Sequence, residues 1–260
     1  MILYTKETLI EELRKIRDLG FIPNNRHGNH GGIGNTLEDL LGIEENNLPI
    51  PNAAEWELKT QRLGTTSLVT LFHTEPSPTA LKFVPTLLLP KYGWSHKNAG
   101  STYPETEMSF RLTIHALAPS DRGFSVVVDK KSKKVLISFD SSLVSSRHAN
   151  WLKSVDDRID TGQLSPQPYW GFADLAAKAG TKLRNSFFVQ AKVKREKGQE
   201  FYHYQRILKL TNFSFDKFLQ GLVEGFVLVD FDARTGHNHG TKFRLRQNRL
   251  PDLYETAEEI

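Results

Sequence analysis

Trp56-Glu57-Leu58-Lys59-Thr60 is the stretch on which the reading of this chain turns. Side chains alternate along a β-strand, so Glu57 and Lys59 point to one face while Trp56 and Leu58 point to the other. A carboxylate beside an ammonium is what hydrolysis of a phosphodiester needs. Carboxylate oxygens hold Mg²⁺, which offsets the charge that builds on phosphorus and lowers the pKa of a bound water. The lysine orients that water or offsets developing negative charge. Glu-x-Lys is also a chance string, and a surface pair of neighbouring charges produces it equally well. A metal site needs further oxygen ligands from a nearby turn. Asn52 stands five residues before Glu57, directly after Pro51 at the strand entry, and Glu38 stands fourteen residues before Asn52.

Upstream, Thr5 caps a helix whose apolar positions Leu9, Leu13 and Ile16 follow helical spacing, with Gly20 as its stop. Arg26-His27-Gly28-Asn29-His30-Gly31-Gly32 reads as a loop, since three glycines in five residues defeat both helix and strand. Arg26, His27 and His30 there suit phosphate contacts, and a turn held by local hydrogen bonds explains them equally well. Thr36 is expected to cap a short helix with Glu38 and Asp39 in its first turn and Gly42 as its end. Favourable charge at a helix N-terminus would by itself account for Glu38 in that position.

Downstream, Ser67–Thr74 reads as a strand, and Met108, Phe110, Leu112 and Ile114 share one face of another. Phe124–Val128 and Val135–Phe139 flank Asp129-Lys130-Lys131-Ser132-Lys133-Lys134, a hairpin by its turn chemistry. Helices are expected over Leu143–Val155 and Phe172–Leu183, strands over Phe187–Val193 and Gln205–Leu210, then a helix capped by Ser214 and a strand over Phe226–Phe231. The pattern is a mixed α+β chain without repeats. A division into residues 1–150, mainly catalytic, and 151–260, mainly recognition, is the expected organisation.

The overall charge of +4 conceals a division. Residues 1–60 hold six Lys/Arg against ten Asp/Glu, whereas residues 181–250 hold fourteen against six. A basic C-terminal part suits a polyanion, because phosphate neutralisation releases counterions. There is no cysteine, which excludes disulfides and thiolate metal sites. The start shows no basic segment followed by an apolar run, and Gly221–Phe231, the richest apolar run, is broken by Glu224 and too short for a bilayer. An intracellular protein with no membrane segment is expected.

The second chemical cluster is Asp232-Ala233-Arg234-Thr235-Gly236-His237-Asn238-His239-Gly240-Thr241-Lys242-Phe243-Arg244. His237 and His239 can ligate a metal, but no third ligand of suitable spacing is near them. An exposed polar hairpin tip is the bland account. DNA reading is the better one: Arg grips guanine O6 and N7 bidentately, and His donates to the same edge. Lys242, Arg244 and Arg246 share one strand face while Phe243 and Leu245 bury the other, and such a row lies naturally along a groove or phosphate track. Asp232 accepts from cytosine N4 or orients Arg234.

His30-Gly31-Gly32-Ile33-Gly34-Asn35-Thr36-Leu37-Glu38-Asp39-Leu40-Leu41-Gly42, followed by Pro51-Asn52-Ala53-Ala54-Glu55-Trp56-Glu57-Leu58-Lys59-Thr60-Gln61-Arg62, resembles the MvaI/BcnI family of restriction endonucleases. These are relatives of the MutH nickase within the PD-(D/E)xK nuclease fold. The similarity continues through Ser67–His73 and returns near the C-terminus. The resemblance implies a two-lobed α+β architecture with a cleft for double-stranded DNA, Mg²⁺ (one or two ions) as cofactor, a monomer and a bacterial cytoplasmic setting. Glu57 and residue 52 would be metal ligands, Lys59 the water-positioning lysine and Glu38 an auxiliary acid. His237, His239 and Arg244 match residues that contact bases in a G+C-rich site of CC(N)GG type, and His73 matches one that approaches the central base pair. Lys242, Arg246, Arg234, Asp232, Arg62 and His30 complete the expected DNA-contacting set. The family has aspartate where this chain has Asn52. An amide offers one neutral oxygen in place of a carboxylate, so metal affinity falls. An engineered inactivation and a natural member with a weakened site both account for it. The rivals are a MutH-like nickase that needs a partner, a DNA-binding module that does not cut, and a structural protein whose charges are surface decoration.

Overall fold

Residues 4–26, 32–43, 56–159 and 164–260 are described by the structure, a computed structural model. Asn52, His30 and most of the glycine-rich loop lie outside them. The helices are α1 (Lys6–Asp18), α2 (Gly32–Leu40), α3 (Leu89–Tyr92), α4 (Ala149–Asp156), α5 (Phe172–Leu183) and α6 (Phe215–Val223). The strands begin with β1 (Ile22–Pro23), β2 (Glu57–Arg62), β3 (Leu68–His73), β4 (Trp94–Ser95), β5 (Met108–Ile114), β6 (Arg122–Asp129) and β7 (Lys134–Val144). They continue with β8 (Tyr169–Gly171), β9 (Asn185–Glu196), β10 (Gln199–Phe213), β11 (Val227–Arg234), β12 (His237–Asn238), β13 (Lys242–Arg246) and β14 (Tyr254–Glu259). The expected mixed α+β class is what the chain adopts. No helix among the described residues is long and apolar enough to cross a membrane.

Two compact units interleave along the sequence, one of residues 1–69, 179–215 and 246–260, the other of residues 70–178 and 216–245. The sequence reading cut the chain once, near residue 150. Strand pairing is what interleaves it: β2 lies parallel to β9, Glu57 beside Ser186 and Lys59 beside Phe188, so residues far apart in sequence share one sheet.

The first unit is a sheet ordered β1-β10-β9-β2, with β14 against β10, and helices α1 and α2 on it. Thr5 caps α1 in a capping box with Thr8, and Leu9, Leu13 and Ile16 are buried as their spacing requires. These side chains join Ile33, Leu37, Leu58, Phe187, Val189 and Tyr204 in one core. β9 and β10 form a hairpin turned by Lys197 and Gly198, both at positive φ (49° and 84°), the backbone sign that matches the twist of the flanking strands. One expectation fails here. α2 begins at Gly32, so Thr36 is an internal, buried helical residue and not a cap, and Glu38 and Asp39 fall in the last turn. The cap rule misled because Ile33 and Leu37, one turn apart, already belong to the buried stripe. Gly42, at φ 62°, ends the segment as expected.

The second unit holds a sheet ordered β3-β13-β11-β5-β4, with β12 on β11, and a three-stranded sheet β6-β7-β8. Its core is aromatic. Phe110 meets Phe124 and Phe231 at 5.4 Å, Phe124 meets Phe139 at 4.9 Å, and Phe243 meets Phe72 at 5.2 Å, offset and edge-on arrangements that suit ring quadrupoles. The helix expected over Leu143–Val155 is shorter. β7 continues to Val144, which pairs with Arg122, and α4 starts at Ala149. The pairing passes an irregularity in β6 at Gly123, at φ 74°, which no side chain could occupy: a Cβ there would lie 2.3 Å from the Asp140 carbonyl oxygen.

Candidate active site and nucleic-acid interface

Both faces of β2 are buried where it begins. Leu58 faces the core of the first unit, and on the opposite side Glu57 and Lys59 are each 9 % exposed. The Lys59 ammonium lies 3.5 Å from Glu57 Oε1. A surface pair of neighbouring charges is therefore excluded, because removing two charges from water costs several kcal/mol per ion unless close partners compensate. Burial pushes the Lys59 ammonium below the usual lysine range and Lys182 pushes the same way, while Glu57 opposes both. The neighbouring hydroxyls are occupied with each other: Ser186 Oγ and Tyr254 Oη lie 2.8 Å apart, and burial raises the Tyr254 hydroxyl, with Glu57 adding to it. Glu57 Oε2 is buried with no hydrogen-bond partner. An uncompensated carboxylate oxygen is costly, and a hard cation is the partner that suits it. The residues present thus fit a divalent metal at Glu57.

Glu38 sits half-buried in the last turn of α2, whose Ile33 and Leu37 pack with Leu58. A carboxylate at that end opposes the helix dipole, so favourable charge at a helix start no longer accounts for it. Asp39 beside it is taken by Arg26, whose Nε and Nη2 donate to it at 2.9 and 2.6 Å.

In the second unit, the face of the β3-β13-β11-β5 sheet opposite the phenylalanines is charged. β13 sets Lys242 and Arg244 there, with Phe243 and Leu245 fully buried behind, as the alternation predicted; Arg246 is exposed at the strand end. Asp230 pairs with Lys242 across the ladder and with Thr113 on the other side, and Asp232 pairs with Arg111. Arg244 Nη1 donates to Asp230 Oδ2 at 2.9 Å, Thr113 Oγ1 donates to Asp230 Oδ1 at 2.6 Å, and Asp232 holds Arg111 at 2.7 Å and Lys242 at 3.6 Å. Arg111, Thr113, Asp230, Asp232 and Arg244 line a groove of about 310 Å³. Arg234 donates to the buried Glu107 at 3.0 Å and lies 4.7 Å over Tyr103. Burial lowers the pKa of His73, and Lys242, Arg244 and Lys178 lower it further, against Glu75.

The loop expected over Thr235–Gly240 is tighter than a loop. β12 pairs back on β11, Arg234 opposite His237, around Gly236 at φ 68°. His237 and His239 project from it, exposed, with rings 4.3 Å apart edge to face. No cluster of three metal-ligating side chains occurs among the described residues.

Arg62 is engaged within the first unit. Its Nη1 and Nη2 donate to the two oxygens of Glu200 at 3.0 and 2.8 Å, and Arg195 and Tyr202 donate to the same carboxylate. Arg62 first, with Arg195 and Tyr202, holds Glu200 down at about 2 against the opposing effect of burial. The folded value lies below the ordinary 4.5, so this stabilisation is complete above about 4.5 and is lost as pH falls from there through about 2. Glu200→Gln is expected to cost about 1–3 kcal/mol at pH 7 and much less at pH 2, where most of the charge-dependent stabilisation is gone. Urea denaturation of both proteins at the two pH values checks it; an equal difference at both would mean the charge is not what stabilises.

Sequence reasoning missed Arg111, Thr113, Asp230, Glu75, Glu107 and Lys182. Arg111 and Thr113 were legible in the alternation of β5, and Asp230-Phe231-Asp232-Ala233-Arg234 carries the same two-residue period. Glu75 and Lys182 left no local signal.

The model of the MvaI/BcnI restriction endonuclease family matches residues 10–254. No curated protein matches the chain. Among solved structures it is similar to restriction endonuclease MvaI in complex with its cognate DNA substrate, at 24% identity and a TM-score of 0.77, over 98% of this chain and 99% of that one. It is also similar to MvaI in the absence of DNA, at 23% identity and a TM-score of 0.54, over 100% of both chains. These likenesses show a shared fold. The family match spans both the buried Glu57–Lys59 pair and the charged sheet face, and the chain belongs to the MvaI/BcnI restriction endonuclease family, enzymes that cut DNA at specific sites.

Proposed function

We propose that this chain is a type II restriction endonuclease of the PD-(D/E)xK, MutH-like kind, hydrolysing phosphodiester bonds of double-stranded DNA at a short G+C-rich site of CC(N)GG type. It acts in the bacterial cytoplasm as a monomer that nicks one strand and then the other. The observation that carries the reading is the buried Glu57–Lys59 pair with one carboxylate oxygen left without a hydrogen bond. Glu57 and the side chain at 52 would hold Mg²⁺, which when bound supplies charge neutralisation at the scissile phosphate and a water of lowered pKa. Lys59, kept dry and beside Glu57, aims its ammonium protons at the attacking water or at the developing charge. Glu38 is an auxiliary acid. Lys242, Arg246 and His30 suit phosphates, whereas Arg234, His237, His239, Arg244, Asp232 and His73 suit base edges.

Asn52 favours a second reading, a protein that binds its site without cutting it. Both readings require sequence-selective binding, with Arg244 pre-aimed by Asp230. Arg244→Ala is expected to weaken binding to a CC(N)GG duplex about 10- to 100-fold and to relax selectivity at one base pair, the scale of one lost bidentate contact. Competition binding at fixed salt measures both. Binding that ignores the substitution and the duplex sequence alike would remove the restriction-site reading.

A further inference from the structure

The proposed base-reading side chains sit on a short hairpin tip whose backbone is tied to β11 by the Arg234–His237 pairing and by the His239 amide, which donates to the Asp232 carbonyl at 2.9 Å. Gly236 and Gly240 both have positive φ, and His237, Asn238 and His239 are exposed. Base readout needs the side chains on this tip in one placement, because a contact misplaced by about 1 Å is lost. One side of the tip is tied by Thr235, which exchanges hydrogen bonds with Met108 through its amide and its hydroxyl at 3.1 and 2.9 Å. On the other side, Glu75 adds side-chain ties to the backbone bonds of His239 and Thr241.

Glu75 Oε1 accepts from the Thr241 amide at 2.9 Å and from Asn238 Nδ2 at 3.4 Å, and its Oε2 accepts from Thr241 Oγ1 at 3.0 Å. Thr241 is 1 % exposed, so its two donors are held away from water, where leaving a donor unmade is costly. Asn238 in turn accepts from the Gly240 amide at 3.0 Å, so the carboxylate holds both ends of the turn that carries His239. Glu75 is itself held. Thr74 donates its amide to the Thr241 carbonyl at 3.0 Å and accepts from Trp170 Nε1 at 3.2 Å, and Ser77 bridges to Tyr169. A carboxylate acting on His73 against Lys242 and Arg244 weakens attraction for phosphate, so attraction for phosphate does not explain its presence.

We propose that Glu75 is a positioning residue for sequence discrimination, fixing segment 237–241 so that its histidines meet base edges in a single register; the inference rests on the site-specific DNA reading above. Glutamine preserves the geometry: its carbonyl accepts from the Thr241 amide, and its amide donates to Thr241 Oγ1, which can reverse its role.

The test is a binding selection from a randomised duplex pool with the full chain, Glu75→Ala and Glu75→Gln, followed by affinities for the enriched duplex, single-base variants of it and an unrelated duplex. Glu75→Ala is expected to lose about tenfold in discrimination at one or two positions, the scale of one net hydrogen bond, with affinity for the unrelated duplex equal or higher. Glu75→Gln is expected to discriminate as the native chain does. Unchanged discrimination by Glu75→Ala at an unchanged melting temperature overturns the proposal. So does a Glu75→Gln variant as impaired as Glu75→Ala, or an equal loss on every duplex, which a merely structural role would give. Should Glu75→Ala fail to fold, Thr241→Val, which removes only the hydroxyl donor, is expected to lose about threefold at the same positions, and no loss overturns the idea. A native chain that enriches no sequence overturns the restriction-site reading, and this inference with it.

Discussion

Asn52→Asp is expected to raise Mg²⁺-dependent cleavage of plasmid DNA by at least about a hundredfold, the scale on which one catalytic electrostatic group is felt. Glu57 brings one carboxylate to the candidate site, with Oε2 lacking any hydrogen-bond partner. An amide at 52 adds one neutral oxygen; an aspartate adds a second negative charge, and affinity for a hard cation depends steeply on ligand charge. Discrete fragments from the Asn52→Asp protein, with few or none from the native chain, would locate the deficit in that ligand. Equal cleavage by both would show that the site tolerates the amide. Silence from both on DNA rich in CC(N)GG sites, with selective binding intact, would favour the protein that binds without cutting.

Lys59→Met in the Asn52→Asp background is expected to lower cleavage by about 10²- to 10³-fold while leaving duplex affinity within about twofold. Methionine keeps most of the volume and removes the charge. The ammonium is buried 3.5 Å from Glu57 Oε1. Removing it also leaves Glu57 without that counter-charge, so stability should fall, and more so without Mg²⁺ than with it. Single-turnover cleavage at saturating enzyme separates chemistry from binding. Cleavage within tenfold of the parent would remove Lys59 from the machinery and leave it a structural ion pair.

Local chemistry was legible wherever a period or a cap decides it. Leu9, Leu13 and Ile16 dictated α1 and Thr5 its start, Phe243 and Leu245 fixed which way Lys242 and Arg244 face, and the alternation at Trp56–Thr60 set Glu57 and Lys59 on one side of β2. Each outcome depends on neighbours a few residues apart, whose geometry the backbone fixes. The cap at Thr36 failed because tertiary burial of Ile33 and Leu37 outweighed a local preference worth about 1 kcal/mol.

What the tertiary structure alone decided is how those faces are completed. The parallel pairing of β2 with β9 turned a chance-prone Glu-x-Lys into a pair shut away from water, which is the difference between surface decoration and a candidate metal site. Pairing across β5, β11 and β13 joined Arg244 to Asp230 and Arg111 to Asp232. Glu75 reached the segment of His237 and His239 across more than 160 residues. Alternation says which side of a strand a residue occupies, but burial, partners and distances come from strands that meet only when the chain has folded.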